Sequence, residues 1–294
     1  MPTTPSVIMR AISSDGGIRV IYCDSTEIVK KSCEIHHTSK TMTAVLGRAL
    51  TGTSLMASLL KDKDNTLTFQ LRGDGPCGSV VCVGDYMGNV RGYTDDPTVE
   101  LPPNAVGKLD VGGAVGEGTL TVIKDLGLKE PYVGMVDLVS GEIAEDITQY
   151  LYTSEQQPGV CALGVLVDRD YTVKAAGGFI LSLLPGADES VIARVENDIA
   201  ALPPVTTMLD SGMGAEDIAR KALASDFGEI GTVAESGYRC RCSEERVTEM
   251  LISLGREELH RLAEEDENAE VACHFCDKVY HVSINNVLAM IEEA

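Results

Sequence analysis

Apolar residues fall along this chain in two rhythms, and the change from one to the other divides it. Early on they come in short runs between turn residues. Val7 to Ile12 and Ile18 to Cys23 flank Ser13-Ser14-Asp15-Gly16-Gly17, a hairpin pattern. Thr38-Ser39 is placed to cap a long helix to about Leu60, with Met42, Val45, Leu46, Leu50, Leu55, Leu59 and Leu60 at helical spacing. Gly47 and Gly52 inside it either weaken that helix or mark close packing. Short strands are predicted from Leu67 to Leu71, Val80 to Val83, Val90 to Tyr93, Leu120 to Ile123 and Val133 to Val139. A helix from Glu142 to about Tyr152 and strands from Val160 to Val167 and Thr172 to Leu181 complete the unit. Strands dominate in runs that look antiparallel and helices are segregated, so residues 1–184 read as an α+β domain with mainly antiparallel sheet.

Pro185-Gly186 breaks the pattern, and acidic helices follow from Asp188. Val191, Ile192, Val195, Ile199 and Leu202 keep helical spacing until Pro203-Pro204. A second helix, about Ala215 to Ser225, precedes Gly228 and Gly231, which loosen the chain. Residues 185–234 therefore read as a helical linker whose thin apolar stripes need a packing neighbour. In the last unit, residues 235–294, Val247, Met250, Leu251 and Leu254 form one helix face, ended by Gly255. A second helix around Leu259 and Leu262 runs out in Glu264-Glu265-Asp266-Glu267-Asn268. Beyond it lie a strand from Val279 to Val282 and a helix capped by Ser283, with Ile284, Val287, Leu288 and Ile291 on one side.

Charge narrows the function. The net charge is −21, and residues 187–294, with 9 basic against 23 acidic, carry −14 of it. Such a surface repels phosphate backbones, which argues against nucleic acid as a partner. Met1 to Arg10 has no charged-then-apolar leader and no apolar run approaches a membrane span, so a cytoplasmic location without membrane association is expected. Thiols stay reduced there, and clustered cysteines more often bind metal or sense redox state.

The clustering is in the last unit: Cys240-Arg241-Cys242 and Cys273-His274-Phe275-Cys276, separated by the thirty residues Ser243 to Ala272. Two tight pairs of thiols suit one tetrahedral zinc per chain, each couplet supplying two sulfurs. Structural disulfides are the rival, disfavoured by the compartment and by the odd count of nine cysteines. His274 is kept out of the shell, since four sulfurs already close it. Arg239, Arg241 and Lys278 either assist thiolate formation or are simply solvated. Cys23, Cys33, Cys77, Cys82 and Cys161 lie in or beside apolar runs and read as inert buried thiols. His36, His37, His260 and His281 are isolated. The glycines from Gly112 to Gly118 match neither nucleotide-loop pattern and read as a hairpin turn, and Arg72-Gly73-Asp74 also reads as a turn. Nothing reads as catalytic, so the chain is not expected to be an enzyme.

With C-x-C and C-x-x-C some thirty residues apart, the sequence resembles the redox-regulated bacterial heat-shock chaperone family called the 33 kDa chaperonin. The resemblance extends to Leu71-Arg72-Gly73-Asp74-Gly75-Pro76, Ser154-Glu155-Gln156-Gln157-Pro158 and Ala176-Gly177-Gly178-Phe179 running on to Leu183-Leu184-Pro185-Gly186. It implies an ATP-independent holdase for unfolding and oxidatively damaged clients, idle while reduced and zinc-bound. Oxidants would form the disulfides Cys240–Cys242 and Cys273–Cys276, release zinc, loosen the linker and favour a homodimer. The physics fits that scheme. A module of about sixty residues buries little surface, so a metal worth about 10–16 kcal/mol in small modules would be its main cross-link. Two local rings close almost no loop and replace little of that. On this reading, melting of the tail deprives the linker helices of a neighbour and bares their apolar faces. A thiol–disulfide oxidoreductase and a zinc-dependent nucleic-acid-binding protein are the alternatives from other classes. The first would normally set C-x-x-C at a helix start in a βαβ context.

Overall fold

Strands β1 (Ser6–Ser13) and β2 (Ile18–Asp24) form the expected hairpin. This is a computed structural model describing residues 6–187, 189–223 and 227–293. The chain then enters a helix absent from the sequence reading, α1 (Thr26–His36). Only Ile28, Val29 and Ser32 of α1 are buried, too few positions to give a periodic signal. His37 ends it in the left-handed region at φ 49°. The predicted long helix is α2 (Lys40–Ala57), which carries the expected cap, with Ser39 Oγ accepting from the Met42 N–H at 3.1 Å.

All of α2 except Lys40 and Arg48 is buried, because it runs between two sheets. One sheet is built from β3 (Thr66–Gly73), β4 (Ser79–Asp85), β5 (Val90–Thr94), then, after a short helix α3 (Val111–Val115), β6 (Gly118–Asp125) and β7 (Tyr132–Asp137). Its order is β5-β4-β3-β6-β7, antiparallel throughout. After α4 (Ala144–Thr153) come β8 (Gly159–Val167) and β9 (Val173–Leu183), which join β1 and β2 on the other side of α2. Gly52 does mark close packing: a Cβ there would lie 2.4 Å from Ile147 Cδ1.

Two glycine-rich segments read separately as turns are halves of one contact. Residues from Gly112 to Gly118 are not a hairpin turn: α3 occupies their first part, capped by Asp110. It packs on the strand end at Gly73, where a Cβ would fall 1.8 Å from the Val115 carbonyl oxygen. Gly75 N–H donates to that same oxygen at 3.0 Å, and Asp74 accepts from Glu117 N–H at 2.8 Å.

The stretch after Pro185 contains α5 (Glu189–Ala200), α6 (Val205–Asp210), which was not predicted, and α7 (Ala215–Ala222). The Ile192 side chain, Asp188 and the expected helix end at Ala224 and Ser225 lie outside the described residues. Val191, Val205, Met208 and Ile218 pack on Met9, Val20, Tyr22, Phe179 and Leu181, the face of the sheet of β1, β2, β8 and β9 turned away from α2. That corrects the expectation that the tail is the neighbour these helices need; the sheet of their own unit serves. The segment with Gly228 and Gly231 is not loose chain either. It forms β10 (Phe227–Ser236), antiparallel to β1 with register shifts, so this sheet reads β10-β1-β2-β9-β8. Among the described residues no helix is long and apolar enough to cross a membrane.

A second compact unit begins at Cys240. It comprises α8 (Glu244–Ser253), α9 (Arg256–Glu265), the hairpin β11 (Asn268–Ala272) and β12 (Val279–Ser283), and α10 (Ile284–Glu293). β11 is only five residues long, and its alternation rests on Ala269 and Val271 alone, too little to mark a strand in the sequence. Its core, among the described residues, is eight buried side chains, from Val247 and Leu251 on α8 to Val287 and Leu288 on α10. The whole chain is α+β, with antiparallel sheets, as its sequence implied.

Candidate metal centre

Each couplet is fixed by a local backbone device. Cys240 and Cys242 immediately precede α8, where Ser243 Oγ caps the helix by accepting from Arg246 N–H at 3.3 Å. The Arg246 guanidinium in turn donates to the Arg241 carbonyl at 3.0 Å, tying the first couplet to the helix start. Cys273 and Cys276 sit in the turn joining β11 to β12. There the N–H groups of Cys276 and Asp277 donate to the Cys273 carbonyl at 3.2 and 2.8 Å, and Cys273 N–H donates to the Lys278 carbonyl at 3.0 Å. Asp277 takes φ +54°, which closes the turn.

The hairpin carries the second couplet to the first. All four sulfurs lie within 4.8 Å of one another, with Cys240 Sγ 3.6 Å from Cys273 Sγ and Cys242 Sγ 3.4 Å from Cys276 Sγ. The four are free thiols, each partly exposed. A tetrahedral shell with Zn–S bonds of about 2.3 Å sets its sulfurs about 3.8 Å apart. The cluster fits that spacing, and the donor set suits zinc, so these four side chains could hold the ion. His274 is exposed and outside the group.

Electrostatics differ sharply within the cluster. At Cys242 burial opposes the thiolate, but hydrogen bonds from the Tyr280 hydroxyl and the neighbouring thiols outweigh it and bring the pKa down to about 7. Cys240 and Cys276 are pushed up, first by burial. The Tyr280 O–H donates to Cys242 Sγ at 3.1 Å, and no sequence pattern pointed to it, because a tyrosine at an inward strand position reads as core. Arg239, Arg241 and Lys278 are all exposed; Lys278 Nζ sits 4.6 Å from the centre of the Tyr280 ring.

The upstream cysteines are apart from this group. Cys23, Cys77, Cys82 and Cys161 are buried, whereas Cys33 is half-buried. Burial pushes the Cys23 thiol up to about 12 and the Cys77 thiol up to about 11, and raises Cys82 and Cys161 as well.

A two-unit α+β chain with a four-thiol cluster of metal-binding type in its smaller unit defines a recognisable class, and comparison with known proteins gives the family. The Hsp33 protein family profile matches residues 6–283. The 33 kDa chaperonin of Acetivibrio thermocellus is 46% identical over 285 residues, 97% of this chain and 96% of that protein. That of Alkaliphilus metalliredigens is 44% identical over 289 residues, 98% and 99% of the two chains. The crystal structure of the 33 kDa chaperonin (heat shock protein 33 homolog) of Thermotoga maritima superposes with a TM-score of 0.90 at 34% identity, covering 99% of this chain and 100% of that one. This chain belongs to the Hsp33 family.

Proposed function

We propose that this protein is a redox-regulated, ATP-independent holdase that keeps unfolding and oxidatively damaged proteins from aggregating. The observation that carries the reading is the convergence of Cys240, Cys242, Cys273 and Cys276 to within 4.8 Å in a unit with a very small core. In the reduced state those four thiolates would hold one zinc ion per chain, which when bound supplies a cross-link between segments thirty residues apart. We assign client handling to residues 1–184, the linker to 185–234 and the switch to 235–294.

Activation is the oxidation of the thiolates. For each couplet, Cys240 with Cys242 and Cys273 with Cys276, two thiolates give two electrons to hydrogen peroxide, one S–S bond forms, the O–O bond breaks, and the two oxygens take up two protons to leave as two waters. Sulfurs in disulfides no longer act as thiolate ligands, so the cross-link is lost and the tail melts. β10 ends at Ser236, four residues before Cys240, so melting reaches the strand covalently attached to it. Release of α5–α7 from the β10-β1-β2-β9-β8 sheet then bares the apolar face formed by Met9, Val20, Phe179 and Leu181. Dimers of the activated form capture clients in the cytoplasm, and the acidic remainder opposes self-aggregation. No catalytic role is assigned, and neither nucleic acid nor membrane is a partner in this reading.

The test measures zinc per chain before and after peroxide, alongside suppression of aggregation of a heat-unfolded protein. One zinc lost together with a gain of suppression is expected. Zinc retained through activation, or suppression equal in both states, overturns the proposal. An insulin-reduction assay and a salt-titrated nucleic-acid binding assay address the two alternatives.

A further inference from the structure

We propose that Tyr280 is a positioning residue of the thiol cluster: its hydroxyl holds the Cys242 sulfur in ligating position and makes the site bind its metal ion more tightly. This deepens the reading just given and rests on it.

The hydroxyl reaches its sulfur because the hairpin's pleat and turn deliver it there. β12 begins three residues after Cys276, and its side chains alternate, Val279 and His281 outward, Tyr280 and Val282 inward. Tyr280 is 6% exposed and packs in the cluster with Val247, Leu251 and Val282. The ring is thus held by its packing, and its O–H points at Cys242 Sγ, 3.1 Å away and 38 residues distant in sequence. The contact joins the strand that follows one couplet to a sulfur of the other.

A phenol is suited to this duty. It donates one hydrogen bond to a sulfur whose remaining lone pairs are free of the metal, and it draws negative charge from that sulfur. The Lys278 ammonium over the ring face pulls electron density from the phenol and strengthens it as a donor. Partners of this outer kind typically change metal affinity by about 10–100-fold.

The experiment uses the full-length reduced protein, its Tyr280→Phe and Lys278→Met variants, and Val247→Ala as a packing control. Zinc affinity is measured by competition with a chromogenic chelator, and cobalt(II) replaces zinc to report the thiolate-to-metal charge-transfer band. Wild type binding no zinc overturns the metal reading itself, and with it this proposal. With wild type loaded, Tyr280→Phe should lose affinity by about tenfold or more and move the cobalt band to lower energy. Lys278→Met should shift both in the same direction by less, whereas Val247→Ala should lower the melting temperature and leave the band in place. Unchanged affinity in a folded Tyr280→Phe overturns the proposal, as does lost affinity with an unmoved band, which would mean a packing role only. Should Tyr280→Phe not fold, the exposed Lys278→Met variant decides by the band: a shift supports the proposal and none overturns it.

Discussion

At Cys242 two physical effects compete: desolvation favours the neutral thiol, and donors from Tyr280 and the neighbouring thiols favour the thiolate and win. In reduced, metal-free protein, alkylation of Cys242 should therefore follow thiolate formation with a midpoint near pH 7, falling as pH drops below it. Cys276, whose pKa is raised, should react far more slowly at that pH. Mass-spectrometric mapping of labelled peptides against pH checks the order, and equal labelling of both would contradict it. Serine keeps the shape at this position but is a poor zinc ligand. Cys242→Ser should lower zinc content and leave the second unit partly unfolded under reducing conditions, read by metal analysis and a melting curve. The couplets themselves were legible in the sequence because ligand spacing is a local property. Tyr280 was not: its role depends on where the turn between β11 and β12 aims it.

Elements follow the same division. Strands with clean alternation, such as β3, and the capped helix α2 could be read from periodicity, and β4 from its continuous apolar run. α1, α6 and β11 could not, since short or polar elements have few apolar positions and take their stability from what they pack against. β10 was hidden by its glycines and exists because β1 offers an edge to pair with. The contact between α3 and Gly73 is likewise non-local. Gly73→Ala should lower stability by about 1–3 kcal/mol or more, because the new Cβ meets backbone oxygen rather than a side chain that can turn aside. A shifted urea midpoint measures it, with Gly237→Ala as the control, since φ there is not positive and a new Cβ would meet nothing nearer than 3.9 Å.

For the molecule as a whole, the difference in core size decides where instability resides. The first unit is built on a helix buried between two sheets, and the second, among the described residues, on eight buried side chains and a thiol cluster. Removing metal with a chelator under reducing conditions should raise hydrogen exchange across residues 240–294 and leave α2 protected. Protection lost equally in both units would contradict this. A variant with all five upstream cysteines replaced should respond to peroxide as the wild type does, since four of those thiols are buried and none belongs to the cluster. The order of residues by itself determined the α+β class, the acidic charge and the two cysteine couplets, because composition, spacing and periodicity are written locally. Only the tertiary structure decided that the linker helices cover a sheet, that β10 completes it, that two glycine-rich turns are one contact, and that a phenol meets a sulfur. Each of these joins residues far apart in the chain, and such pairings are set by packing and hydrogen-bond satisfaction across the whole fold.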